Sequence, residues 1–153
     1  MQQQPLTPIQ KTDNDHLKLL VIFHYIYGVF SALGILFIGL HYFIMSSFLR
    51  SPQVMSEFEK NASSEIPFTP ETFIDLFVWF YILMGLSMIG IATLNILSAR
   101  FITLRKNRTF STVTAGINCL HMPLGTALGV FTFIVLFRDS VRRTYEKITE
   151  RIV

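Results

Sequence analysis

Charged residues are scarce in this chain of 153 residues: they make up 15% of it, whereas soluble domains carry about 25%. Hydrophobic residues make up 51% of the sequence, a composition typical of a protein that lies in a lipid bilayer. The single cysteine, Cys119, excludes an intrachain disulfide and any paired-cysteine metal motif. The length allows one domain.

The sequence also lacks the patterns of catalysis and of nucleic-acid binding. It contains no Ser/His/Asp arrangement, no phosphate-binding loop and no pair of carboxylates inside an apolar segment. Lys and Arg number 13 against 10 Asp and Glu, but these cations lie just outside apolar segments, where they orient membrane proteins and contact lipid headgroups. We therefore expect a protein that is not an enzyme, has no catalytic residue and binds no nucleic acid.

Two long apolar segments predict two membrane-spanning helices. Leu19–Met45 carries no charge over 27 residues, and Leu76–Ala99 is uncharged as well, while about 20 apolar residues are enough to cross the hydrocarbon core. Small residues let helix backbones approach one another closely. The helix-packing candidates in these two segments are Gly28, Ala32, Gly85 and Gly90.

The third apolar stretch, Phe110–Tyr145, is interrupted in its middle by Pro123 and Gly125. It is either a kinked spanning helix or a hairpin of two short helices, of about 12 and 14 residues, which are too short to cross the core of about 30 Å. A single crossing would place six and seven cations on the two sides of the membrane, and a hairpin would place 11 and 2. Because positive residues accumulate in the cytoplasm, the charges favour the hairpin. Against it, non-helical backbone at membrane depth must be buried in protein.

Gly125 and Gly129 form a GxxxG pair in an apolar setting. Such a pair permits close helix contact, either within one chain or between copies of it. We therefore expect this pair to be a helix-packing site.

The predicted fold is an all-α integral membrane helical bundle, with two long spanning helices and a Pro/Gly-broken third segment. Residues 1–14 are polar and contain Pro5 and Pro8, which oppose a helix, so we expect a disordered tail there. Residues 15–139 form the transmembrane helical domain. Residues 140–153 place apolar positions opposite a basic face, which predicts an amphipathic tail on the membrane surface or a plain solvated helix.

Polar residues inside apolar segments are functional hypotheses by default. His24 and His41 raise the idea of haem ligation, but they are 17 residues apart, about 25 Å along one helix, and cannot hold one iron. Asn118 and His121 lie one turn apart beside the proline break, and we expect them to bond the carbonyl of Cys119 that the proline leaves free. The sequence predicts no cofactor and no metal site.

Three stretches of the chain carry a resemblance: DHLKLLVIFHYIYG from Asp15, LNILSARFITLRKNRTFSTVTAGINCL from Leu94 and MPLGTALGVFTFIVLFRDSVRRTY from Met122. They are similar to a family of small uncharacterised bacterial inner-membrane proteins with a C-terminal PLGTxLGVFT-type motif. The resemblance implies a multi-pass protein of the inner (plasma) membrane and assigns no activity.

These observations lead us to expect a non-enzymatic accessory or structural protein of the lipid bilayer, which packs against itself or a larger membrane complex. One alternative is a subunit of an oligomeric channel or transporter. The broken helix supports it, and the lack of an acid inside the apolar segments counts against it. The other alternative is a haem- or cofactor-binding membrane protein.

Overall fold

The computed structural model describes residues 7–61 and 70–150, with side chains over 7–60 and 71–146. These residues contain no strand, and the predicted all-α fold is confirmed. The six helices of the described chain are α1 (Pro8–Leu49), α2 (Pro52–Asn61), α3 (Pro70–Leu104), α4 (Arg108–Cys119), α5 (Leu124–Leu136) and α6 (Asp139–Glu150).

Helices α1 and α3 are each long and apolar enough to cross a membrane, as the uncharged segments predicted. Their most apolar windows have mean hydropathies of 2.1 and 2.0. Both helices pass through two compact units, one containing Ser31–Gly90 and the other containing the chain up to Phe30 and from Ile91 onward. We call the second of these the hairpin unit, because it contains α4 and α5.

Helix α1 begins earlier than expected, at Pro8. Thr7 and Gln10 form a reciprocal cap, with the Thr7 N–H donating to Gln10 Oε1 at 3.0 Å and the Gln10 N–H donating to Thr7 Oγ1 at 3.4 Å. Proline suits the first helical position, because its missing N–H would have no partner there. The expected disorder of residues 1–14 is therefore wrong for residues 8–14; residues 1–6 lie outside the described residues.

The third apolar segment is a helical hairpin and not a kinked helix. Helices α4 and α5 have 12 and 13 residues and pack antiparallel. At one end of the pair the Arg108 guanidinium lies 5.1 Å from the centroid of the Phe137 ring. At the other end, a Cβ on Gly125 would lie 2.5 Å from the carbonyl oxygen of Asn118.

The turn that joins α3 to α4 has the hydrogen bonds of a Schellman motif. The Arg105 N–H donates to the Ile102 carbonyl at 3.1 Å, and the Lys106 N–H donates to the Phe101 carbonyl at 3.0 Å. Arg105 has a φ of 50° and Asn107 a φ of 46°. Asparagine tolerates this left-handed region, but arginine seldom adopts it, and the position that Arg105 fills is usually glycine.

Within the hairpin unit, α6 packs on the other helices through Val141 and Tyr145, which are both buried. They complete an apolar core with residues of α1, α3 and α5. For residues 140–153 we expected a tail on the membrane surface or a plain solvated helix. The face that contains Val141 and Tyr145 instead packs on the protein. The side chains beyond residue 146 lie outside the described part of the chain.

Candidate functional site

The interior of the hairpin unit contains a layer of polar side chains, each of which is at most 1% exposed. They come from four helices, α1, α3, α4 and α5. The members of this polar layer are His24, Asn95, Ser98, Ser111, Thr114, Asn118 and Thr132. A buried polar group in a membrane protein is costly unless it is hydrogen-bonded, so the partners of these groups show what the layer does.

Asn95 and Asn118 form a reciprocal amide pair that joins α3 to α4. The Nδ2 of Asn95 donates to Oδ1 of Asn118 at 3.0 Å, and the Nδ2 of Asn118 donates to Oδ1 of Asn95 at 2.8 Å. Asn95 Nδ2 also donates to the Ile91 carbonyl at 2.9 Å. The pair fixes the register between the hairpin and α3.

Three other members of the polar layer bond to the carbonyl one turn earlier on their own helix. Thr114 Oγ1 donates to Phe110 at 3.0 Å and Thr132 Oγ1 donates to Leu128 at 2.7 Å. His24 Nδ1 lies 2.9 Å from the Leu20 carbonyl. Because a carbonyl only accepts, Nδ1 carries the proton of the neutral ring and Nε2 is left as an acceptor.

Three buried atoms of the polar layer have no hydrogen-bond partner among the described residues: His24 Nε2, Ser98 Oγ and Ser111 Oγ. Within the hairpin unit α1 and α3 run antiparallel, since Asn14 bonds Arg105 and a Cβ on Gly28 would lie 3.4 Å from the Ala92 carbonyl and 3.0 Å from Ile96 Cγ1. One turn closer to the start of α1 and to the end of α3, this register brings His24 level with Ser98.

The predicted packing glycines of the hairpin lie directly against α4. A Cβ on Gly129 would approach the Ala115 carbonyl too closely and would lie 2.5 Å from Cys119 Sγ. A Cβ on Gly125 would lie 2.7 Å from the Tyr27 hydroxyl. Both sites therefore need glycine, because the hairpin leaves no space for a side chain.

The helix-packing candidates on α1 and α3 differ in whether another helix covers them. Gly28 faces α3, whereas a Cβ on Gly85 or Gly90 would meet no heavy atom of the described chain within 4 Å. Ala32 is exposed. The expected packing through Gly85 and Gly90 is thus not made within the described chain, because their faces of α3 point away from other described atoms.

The hydrogen bonds at the hairpin tip differ from the predicted cluster. His121 Nδ1 lies 3.1 Å from the Ile117 carbonyl, and the Asn118 amide pairs with α3 instead of with His121. The Cys119 carbonyl, which Pro123 cannot bond, accepts from Thr126 Oγ1 at 2.9 Å. Thr126 of α5 therefore bonds the carbonyl that we expected His121 to bond.

Charged groups gather at the end of the hairpin unit where α1 begins. Arg138 Nη1 donates to His16 Nδ1 at 2.8 Å and lies 3.4 Å from Asp13 Oδ1. Burial raises the pKa of Tyr145 to about 12, although the guanidinium charges of Arg105 and Arg108 oppose the rise. The phenol is therefore neutral at physiological pH.

The described residues contain no group of three or more His, Cys, Asp or Glu side chains placed to hold a metal ion. His41 Nδ1 is hydrogen-bonded to the Tyr81 hydroxyl, and their rings stack with centroids 5.8 Å apart. This histidine belongs to an aromatic cluster on Tyr81, which also includes Tyr42 and Phe77.

The sequence contained a signal for the polar layer that our reasoning did not use. Ser111, Thr114 and Asn118 are spaced three and four residues apart, which places them on one face of a helix. Asn95 and Ser98 repeat the spacing on α3. A polar stripe on an otherwise apolar helix indicates contact with another polar stripe, although spacing does not say with which one.

No protein-family model matches the chain, and comparison with curated proteins and with solved structures found no match.

Proposed function

We propose that this is a small non-enzymatic protein of the bacterial inner membrane that serves as an accessory component of a larger membrane assembly. The observation that carries the proposal is how the polar layer is used. Its amide pair and threonines make helix–helix and backbone hydrogen bonds, and the glycines of α5 lie against α4. The interior thus serves to hold a hairpin against two spanning helices.

The hairpin enters the membrane from the cytoplasm and returns to it. Helices α4 and α5 reach about 18 and 20 Å, less than the hydrocarbon core of about 30 Å, and the tip residues Leu120 and Met122 are apolar and 80% and 85% exposed. Arg50 and Lys60 lie between α1 and α3. The other described cations lie near the start of α1, near the end of α3, or beside the hairpin base, which is where α4 begins and α5 ends. This distribution follows the positive-inside rule.

Reporter fusions test this orientation. An enzyme that is active only in the cytoplasm should be active when it is fused after either end of the chain, and inactive when it is inserted next to Lys60. The reason is that two crossings and a returning hairpin bring both ends to the same side. A periplasmic signal from the C-terminal fusion would show that the third segment crosses the membrane, and the orientation would be wrong.

The surface offered to a partner lies on the Ser31–Gly90 unit. Ile82 and Leu86 lie one turn apart on α3 and are 45% and 61% exposed, and Gly85, three residues after Ile82, presents a backbone that no described atom covers. Small residues on an exposed apolar face allow a second helix to approach closely. We therefore assign this face of α3 to a helix of the partner assembly.

Photocrosslinking in intact membranes tests the accessory role. A photoreactive residue at Leu86 should give a discrete crosslinked protein band, and the band should disappear when Gly85→Leu is added, because leucine blocks close approach. Gly39→Leu on α1 is the matched control, since Gly39 is equally uncovered within the described chain, and it should leave the band unchanged. Crosslinking to lipid only would contradict the accessory role.

A channel or transporter subunit is a second candidate, favoured by one observation. His24 Nε2 and Ser98 Oγ have no hydrogen-bond partner among the described residues, and they lie at one level inside a bundle whose hairpin we propose to be re-entrant. Transporters build their sites from broken helices of this kind. Ion flux into liposomes that contain the purified protein, with His24→Leu as comparison, separates this candidate from the accessory role.

A further inference from the structure

A groove of about 500 Å³ lies between the start of α1 and the end of α3. Two cations and an amide line its polar end: Lys18, Arg105 and Asn14. The Arg105 guanidinium donates to Asn14 Oδ1, which holds the charge at the groove. Lys18 Nζ lies 3.9 Å from Asp15, but the two side chains are 77% and 59% exposed, so this ion pair is weak.

Apart from Thr103, whose hydroxyl donates to the Ala99 carbonyl at 2.9 Å, the rest of the groove is apolar, and it runs along α1 away from the cations. Val21 and Ile22 line it on α1, and Ile102 lines it on α3. From Asn14 to Ile22 the groove extends about 12 Å along the helix axis. A polar end with positive charge and an apolar course of this length match a phospholipid, which has an anionic headgroup followed by an acyl chain.

The left-handed backbone of Arg105 is a second reason to infer that its guanidinium binds a ligand. A left-handed conformation is unfavourable for a non-glycine residue, and Arg105 has a φ of 50° at a helix end where glycine is usual. Strained residues of this kind cluster at binding sites. An arginine here gives up helix-cap stability and places a positive charge at the mouth of the groove.

We propose that this groove binds one anionic phospholipid, with its phosphate between Lys18 and Arg105 and an acyl chain along Val21 and Ile22. The inference relies on the proposed position of the hairpin base at the cytoplasmic surface, where anionic lipids attract basic residues. Basic pockets between spanning helices bind such headgroups on that side of the membrane. The apolar course of the groove selects a lipid over a soluble phosphate.

The test uses the full chain in uncharged detergent and measures lipid binding by native mass spectrometry and by thermal stabilisation. Wild type should retain one phosphatidylglycerol more strongly than phosphatidylcholine with the same acyl chains. Arg105→Gly and Lys18→Gln should each weaken phosphatidylglycerol binding about fivefold, since one cation contributes about 1 kcal/mol, and leave phosphatidylcholine binding unchanged. Arg105→Gly also relieves the left-handed backbone, so the variant should fold at least as stably as wild type.

Arg143→Gln is the matched control, because Arg143 is an exposed cation of α6 that does not line the groove. An equal loss in Arg143→Gln would show general surface attraction and overturn the site. Stabilisation by glycerol 3-phosphate equal to that by phosphatidylglycerol would overturn the acyl-chain groove. If Arg105→Gly does not fold, Lys18→Gln decides the outcome. The measurement needs no partner protein, so its failure is distinguishable from failure of the accessory role.

Discussion

Replacing Gly129 by alanine should separate α5 from α4 and lower the free energy of unfolding by about 3 kcal/mol, the upper end for overpacking. The added methyl group would approach the Ala115 carbonyl too closely and would lie 2.5 Å from Cys119 Sγ. The backbone oxygen belongs to a helix that is bonded to α3 through Asn118, so it cannot move without disturbing that pair. Thermal unfolding in detergent measures the loss.

Gly39→Ala provides the matched control for this prediction. A Cβ on Gly39 would meet no described atom within 4 Å, and alanine is favoured over glycine inside a helix by about 0.5–1 kcal/mol. The same chemical change should therefore stabilise α1 at residue 39 and destabilise the hairpin at residue 129. Equal melting temperatures for Gly129→Ala and wild type would show that the hairpin is not packed as described.

The second large effect concerns the amide pair. Asn118→Leu should lower the free energy of unfolding by about 2 kcal/mol, because it removes two interhelical hydrogen bonds and leaves the buried Asn95 carbonyl oxygen without its donor. Leucine has the same number and branching of side-chain heavy atoms as asparagine, so the change tests hydrogen bonding more than shape. Steric trapping or thermal unfolding measures the loss.

A double-mutant cycle tests whether the destabilisation comes from loss of the Asn95–Asn118 pair. Asn95→Leu should destabilise the protein in the same way, but the combined Asn95→Leu/Asn118→Leu variant should be about 1 kcal/mol more stable than the sum of the single effects. Removing both amides leaves no unpaired polar group behind. Simple additivity of the two single substitutions would show that the amides do not act as a pair.

The two predictions concern the contacts of α4 with its two neighbours, α5 and α3. Gly129 sets how close α5 comes to α4, and Asn118 sets how α4 aligns with α3. If both results hold, the hairpin is a rigid part of the bundle, and the accessory role depends on the exposed face of α3.

The local signals in the sequence were enough to predict the fold class, because each one is contained in a single stretch of chain. An uncharged run of apolar residues defines a spanning helix by its length alone. Pro123 marks the break in the third segment, since it has no N–H for the helix. The asymmetry of the cations favoured the hairpin, and the structure contains one.

The beginning and the end of the helical region were predicted less well. The prolines of the polar start suggested disorder, but Pro8 occupies the first position of a capped helix, where proline is favourable. The amphipathic pattern of the tail was correct as a pattern. It did not show that Val141 and Tyr145 pack on the protein instead of on lipid, because both surroundings are apolar.

The sequence by itself determined where this protein is apolar, where its helices break and which glycines were candidates for close contact. The tertiary structure decided which of those glycines are covered, that Asn118 pairs with Asn95, and that Thr126 satisfies the carbonyl freed by Pro123. The physical reason is the range of each interaction. Hydropathy and helix breaking act within a few residues, whereas a hydrogen bond or a close contact depends on which distant helix lies opposite.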